Sequence, residues 1–305
     1  MAQRQQRRWG SGVVAGLVAG VCAAGLGVGA AGCSGDGADG RPDGDDRAAD
    51  RVADRAADRS ADPVRTLRRA ADALVEAGSS KARTSMEMAT GGTRVTIRGE
   101  GVYDYRRQLG QLKVVLPQDP AGSSGRRPIT ELLAPGALFM KNRGAGVPAD
   151  KWVRVDTATL SDGNLVTGGA TDPYAAAEVL RGTRTATYVG RTRLAGVEVR
   201  HFRGTADLAE AAEDASEGGR DSLDAAARGF ATARVPFDVY LDDQGRIRKV
   251  RHRFGFVNGR EEEAGGRAGA VVAVASTTLL YDFGVPVDVR LPDAGDIYAG
   301  RIAEE

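Results

Sequence analysis

Apolar positions change their spacing along this chain, and the changes mark its parts. Residues 12–28 are an uncharged run of Val, Ala, Gly, Leu and Cys, whereas residues 34–62 hold no large apolar side chain except Val52. From Val64 the spacing becomes helical, with Val64, Leu67, Ala71, Leu74 and Val75 on one stripe. Asp62 stands as N-cap before Pro63 at the first helical position, and Gly78 supplies a stop. The pattern predicts a helix that must pack on something.

The period then falls to two. Thr84, Met86 and Met88 alternate with polar residues, Gly91-Gly92 offers a tight turn, and Val95 and Ile97 return on one side with Arg94, Thr96 and Arg98 on the other. The second strand runs on through Gly99 and Gly101 to Tyr103 and Tyr105, and such glycines predict a bulge or sharp coiling. Leu112, Val114 and Leu116 mark a third strand before a polar loop over 119–128. Ala137–Lys141 and Lys151–Asp156 complete an antiparallel meander with one apolar and one wet face.

Helices interrupt the strands here. Asp172-Pro173 repeats the capping pair and predicts a short helix, Tyr174–Leu180, stopped by Gly182. Thr183–Val189 and Val197–Phe202 pair across Leu194-Ala195-Gly196. The Ala-rich stretch Leu208–Phe230 is broken by Gly218-Gly219, which predicts one interrupted helix or two short ones. Alternation then resumes at Val235, Phe237, Val239 and Leu241, turns at Asp243-Gln244-Gly245 and returns over Ile247–Val257. A charged loop, 258–269, a long strand, Val271–Phe283, and a closing strand, Val285–Leu291, follow. Roughly nine to eleven strands with helices early and in the middle predict an α+β class. The expected architecture is one large curved antiparallel sheet with helices packed on its concave face, as a single domain over 63–298 with a short tail, 299–305.

The first 62 residues change where this domain is expected to work. Arg4, Arg7 and Arg8 precede the apolar run, so residues 1–32 read as an export leader. The run's five glycines lower its hydrophobicity and helix propensity, which favours removal over retention as a membrane span. Arg7-Arg8 is a twin-arginine pair, but Trp9-Gly10-Ser11 lacks the apolar pair that usually follows. Ala30-Ala31-Gly32-Cys33 closes the run and resembles the lipobox of bacterial lipoproteins, with Ala30 where Leu is usual. That resemblance implies acylation of Cys33 and a lipid-anchored place on the extracytoplasmic face of the cell membrane. Residues 33–62 form a charged tether that includes four Arg-x-Ala-Asp repeats. They cannot bury enough apolar area to offset ordering, and read as a solvated spacer or a transient lone helix.

Composition then excludes several classes. The two cysteines are Cys22, inside the leader, and Cys33, so no thiol remains for a disulfide, a metal or a nucleophile. Removing Arg4, Arg7 and Arg8 with the leader leaves 39 basic side chains against 41 acidic ones, and no basic field for nucleic acid. His201 and His252, the only histidines, lie on separate strands, and no Gly-x-Ser-x-Gly elbow accompanies either. Hydrogen-bonded strand histidines are the plain reading, so no catalysis is expected. Clustered metal ligands are missing, and Glu261-Glu262-Glu263 reads as solvated charge. No phosphate-cradling glycine loop opens a helix, and no cofactor is expected. Lys249, Arg251 and Arg253 fall on one strand face and Arg246 and Arg248 on the other. They suit anionic headgroups, or ordinary pairing with Asp238, Asp242 and Asp243.

The closing stretch Tyr281-Asp-Phe-Gly-Val-Pro-Val-Asp-Val-Arg-Leu-Pro292 resembles the end of the mycobacterial lipid-carrying lipoproteins of the LppX and LprG type, and Phe237–Val250 is similar to their penultimate hairpin. The resemblance covers most of 62–297 and is sharpest in the last sixty or so residues. It implies an open half-barrel like the carriers LolA and LolB, holding a lipid or glycolipid between sheet and helices. Under it, Met86, Met88, Val95, Ile97, Leu112, Val114 and Leu116 are the candidate cleft lining, with methionines suited to irregular apolar guests. Otherwise the same seven fill a solid core. The competing expectation is an envelope sensor that binds a partner protein with the same half-barrel, as RseB does.

Overall fold

The computed structural model describes residues 62–90, 93–117, 127–144, 146–168, 170–257 and 271–298. The leader, Cys33, the tether, the Gly91-Gly92 turn, the acidic 261–263 run and the tail lie outside them.

Eleven strands form one antiparallel sheet that does not close: β1 (Ser79–Thr90), β2 (Thr93–Asp104), β3 (Leu109–Val115), β4 (Ile129–Ala134), β5 (Ala137–Lys141), β6 (Trp152–Asp156), β7 (Thr183–Leu194), β8 (Val197–Asp207), β9 (Arg234–Leu241), β10 (Ile247–Val257) and β11 (Val271–Tyr281). Their spatial order is β6-β5-β4-β3-β2-β1-β11-β10-β9-β8-β7, so two meanders meet where β1 pairs with β11. This is the expected open half-barrel. Five α-helices, α1 (Pro63–Arg68), α2 (Ala70–Ala77), α3 (Pro173–Glu178), α4 (Leu208–Glu213) and α5 (Glu217–Gly229), pack on one face, here called inner.

The caps work as read. Asp62 Oδ1 accepts from Val64 N at 3.0 Å, and Asp172 Oδ1 from Tyr174 N at 2.7 Å. Gly78 ends α2 at φ 82°, a conformation open to glycine. The first helix is nevertheless two segments, parted by a turn at Arg69. Leu67, Ala70, Ala71 and Leu74 are fully buried against the sheet.

Four expectations need correction. Gly99 and Gly101 mark no bulge, because the β1–β2 register is unbroken; a Cβ on Gly101 would lie 1.8 Å from the Gln111 carbonyl oxygen of β3. The glycine permits close approach of a coiled neighbour. Gly218-Gly219 does not break the second helical stretch, since α5 runs through it and the interruption falls at 214–216. A Cβ on Gly219 would lie 2.1 Å from Glu178 Oε2, so packing against α3 explains that glycine.

β4 was not expected, and its two adjacent leucines, Leu132 and Leu133, are buried on opposite faces. The closing strand is not one. Asp282 at φ 50° and Gly284 at φ 81° turn the chain out of β11. Residues 285–298 then cross the outer face, where Val287 and Val289 pack with Leu132, Phe139 and Trp152. The segment is held by one bridge, Trp152 to Ile297, and by Tyr298 N donating to Trp152 O at 2.8 Å.

Candidate functional site

All seven side chains read as cleft lining stand on the inner face. Met86 faces Ile97 across β1–β2 and Met88 faces Val95, while Gly99 and Gly101 face Val114 and Leu112 on β3. They do not share one environment. Met86, Leu112 and Val114 are at most 1% exposed, and Ile97 9%, and they belong to the continuous core beneath the helices. Met88, Val95 and Leu116 are only partly buried. Phe256 and Val272, paired across β10–β11, continue that half-covered apolar end of the face, and Phe230 stacks at 4.9 Å on Phe254 and edge-on at 4.6 Å against Phe256.

The middle of the inner face is polar as well as apolar. Thr171 Oγ1 lies 2.5 Å from Ser276 Oγ and donates to Leu165 O at 2.8 Å. Cross-strand partners Thr84 and Thr278, and His252 beside Ser276, are buried, and Thr84 Oγ1, Thr278 Oγ1 and His252 Nε2 have no hydrogen-bond partner. Burial alone pushes the His252 imidazole down to about 3, so the ring is neutral at physiological pH. The expectation that both histidines are hydrogen-bonded therefore fails for His252.

His201 meets it on the outer face. Its ring stacks on Tyr240 at 4.3 Å, and its Nε2 lies 3.0 Å from Asp238 Oδ1. Burial would raise the Asp238 carboxyl, but hydrogen bonds from Arg203 and His201 outweigh it and hold the group below the usual range. Four of the five clustered basic residues make ion pairs with described residues, Lys249 lying instead over the Tyr240 ring. Arg246 and Arg248 take Asp242 at 2.8 and 3.6 Å, Arg253 takes Asp238 at 3.4 Å, and Arg251 takes Glu87 at 3.4 Å.

At the opposite end from Met88 lies a partly open pocket of about 40 Å³, lined by Tyr103, Asp172, Tyr174, Glu178, Ser222 and Leu223 among others. Burial pushes Asp172 up to about 6 against its two cap hydrogen bonds, and it also raises Glu178, whose Oε1 accepts from Ser216 N at 2.7 Å. Tyr103 donates to Asp172 Oδ2 at 3.3 Å. The pocket has room for a few waters.

A third carboxylate has less support. Glu131 is fully buried on the inner face between Leu112 and Met140, and neither carboxylate oxygen has a hydrogen-bond partner. Burial pushes it up to about 8, against the opposing charge of Arg143. Sequence reasoning took Asp172 only as a cap and missed Glu131 and Glu178. The one signal for Glu131 is its place between Ile129 and Leu133, two residues from each, which puts it on the apolar side of a strand.

No protein-family model matches this chain, and no curated protein matches it in sequence. Solved structures similar to it include lipoprotein LppX of Mycobacterium tuberculosis, 10% identical, with a TM-score of 0.42 over 74% of this chain and 97% of that one. LprF of Mycobacterium bovis is 14% identical, with a TM-score of 0.36 over 76% and 99%. A LolA superfamily protein of Nitrosomonas europaea is 9% identical, with a TM-score of 0.34 over 78% and 99%. Among the described residues no helix is long and apolar enough to cross a membrane.

Proposed function

We propose that this chain is an extracytoplasmic binding protein, held to the membrane through Cys33, that takes the apolar part of a lipid or lipid-linked envelope molecule between sheet and helices without catalysis. The observation that carries the reading is the uneven cover of the inner face. The apolar surface is sealed through the middle of the sheet and only half covered at Met88, Val95, Leu116, Phe256 and Val272. An apolar guest entering there would meet side chains of the right chemistry, and two methionines that repack readily. The sequence resemblance of 281–292 to lipid-carrying lipoproteins points the same way.

The pocket of about 40 Å³ beside Asp172 is far below the ~300 Å³ at which small-molecule pockets begin, so on this reading a lipid guest enters at the half-covered end and displaces helices from the sheet. Their facing residues mix small side chains, Ala70, Ala71, Ala177 and Ala226, with large ones, Leu67, Leu74, Leu208 and Leu223, so lifting the helices would expose apolar area that a lipid guest has to replace. Of the two histidines, His201 is tied to Asp238 on the outer face and His252 is buried and neutral, and the reading assigns neither a role. The same small volume favours the second reading, an envelope sensor that binds a partner protein on its surface.

Native mass spectrometry with organic extraction tests this on the chain from Asp62 onward, produced in a lipid-containing host without leader or acyl anchor. Stoichiometric lipid in the extract supports the first reading and names the ligand class. An apo mass, unchanged after incubation with envelope lipids, sinks it in favour of partner binding.

A further inference from the structure

The outer face of the sheet carries a charge asymmetry that the balanced composition, 42 basic against 41 acidic side chains, does not foretell. Two neighbouring rows cross the centre of that face. One runs Lys113, Glu100, Arg83, Leu279, Lys249, and the other Val115, Arg98, Ser85, Thr277, Arg251, each step a direct cross-strand pairing. Within these two rows five basic side chains stand with one carboxylate, Glu100, while Glu87 and Asp238 adjoin the patch at Arg251. Strand alternation aims all of them away from the core.

Some of this charge is satisfied and some is not. Arg83 pairs with Glu100 at 3.0 Å, Arg251 with Glu87 at 3.4 Å, and Lys249 lies 5.3 Å from the Tyr240 ring centre. Arg98 and Lys113, both exposed, make no ion pair with any described residue. They flank a shallow groove of about 360 Å³ whose floor includes Thr277, Leu279 and Val115. Val115 is 53% exposed, which is unusual for a large apolar side chain in this molecule. The chain covers the other part of the same face itself, since residues 285–298 lie over Leu132, Phe139 and Trp152. Among the described residues no segment covers the cationic part.

We propose that this open part of the outer face docks on an anionic bilayer, with Arg98 and Lys113 reaching lipid phosphates and Val115 touching the interface between them. A solvent-facing sheet surface with free cations around an exposed apolar residue fits a membrane surface in charge and in polarity. Such docking is independent of what the inner face binds. It sets the inner face, with its half-covered apolar end, away from the headgroups.

Flotation of the full chain with neutral phosphatidylcholine vesicles, and with vesicles containing about 30% phosphatidylglycerol, tests this in low salt. The leader and tether are common to every sample, so comparison of variants isolates the face. The anionic vesicles should bind the chain more strongly than the neutral ones. The double variant Arg98→Gln, Lys113→Gln should lose that excess by roughly tenfold. The control Arg65→Gln, Arg69→Gln, an equal charge change on exposed residues at α1, should lose less than about twofold, and a thermal melt should find both doubles folded.

Equal loss in the two doubles, or none in the first, would overturn the proposal. Equal binding to both vesicle types would do the same. Binding to soluble polyphosphate but not to the anionic vesicles would assign the face to a soluble polyanion and also overturn membrane docking.

Discussion

Replacing Glu131 by Met should stabilise this protein by an amount that grows with pH. The unfolded carboxyl releases its proton near 4.5, while burial holds the proton on the folded one until about 8. Between those values the folded state binds more protons than the unfolded state, so stability falls as pH rises. Each pH unit costs about 1.4 kcal/mol, which amounts to roughly 3 kcal/mol at pH 7 and levels off at roughly 4 kcal/mol by pH 8, where the folded carboxyl is itself half ionised. Below 4.5 both states are protonated and this penalty is absent. Methionine is similar in volume, suits the neighbouring Leu112 and Met140, and removes two oxygens that lack partners. Urea unfolding of both proteins at pH 4.5 and pH 7 gives the comparison. The variant's advantage should be about 3 kcal/mol larger at pH 7. If the advantage is the same at both pH values, Glu131 is ionised in the fold, and the account of its burial is wrong.

Two further changes probe other parts of the core. His252 titrates near 3 when folded and near 6.5 when unfolded, so below 6.5 the unfolded state binds more protons and stability falls with falling pH. His252→Leu should remove about 2 kcal/mol of acid sensitivity at pH 5, measured by the same unfolding series, and an unchanged acid limb would contradict a buried neutral ring. Gly101→Ala puts a methyl group against the Gln111 carbonyl and should cost about 2–3 kcal/mol, read as a lower thermal midpoint, although alanine suits a strand at least as well as glycine. A midpoint equal to the parent's would mean that β2 and β3 are less tightly coiled than described.

Local chemistry made much of this fold readable. Asp62-Pro63 and Asp172-Pro173 announce helices because the capping carboxylate, its backbone donors and the proline ring lie within three residues of one another. Strands with one wet face announce themselves by alternation. β4 escaped because both of its faces are covered, one by the core and the other by a segment more than 150 positions later, so Leu132 and Leu133 are buried side by side. Val285, Val287 and Val289 do alternate, and Val287 and Val289 do face the sheet. The segment crosses the strands rather than joining their ladder, a distinction that periodicity cannot register. Gly219 looked like a helix breaker because Glu178, the group that needs the space, lies in another helix. The candidate lining was legible as one face, but which part of it stays open depends on helices whose docking no short stretch encodes.

The pairing of β1 with β11 joins the two ends of the domain: Lys81 and Asp282, in contact at 2.9 Å, are 201 positions apart. During synthesis at roughly 5–20 residues per second, β1 waits about 10–40 s for its partner. Through that interval the first meander can form, yet Ala82, Thr84 and Met86 stand on an unpaired strand edge. Such an edge recruits foreign strands. The central seam closes only once the last-made strand is available, and a chain shortened before Val271 would keep the first meander whole and the second without β11, with nothing to join them.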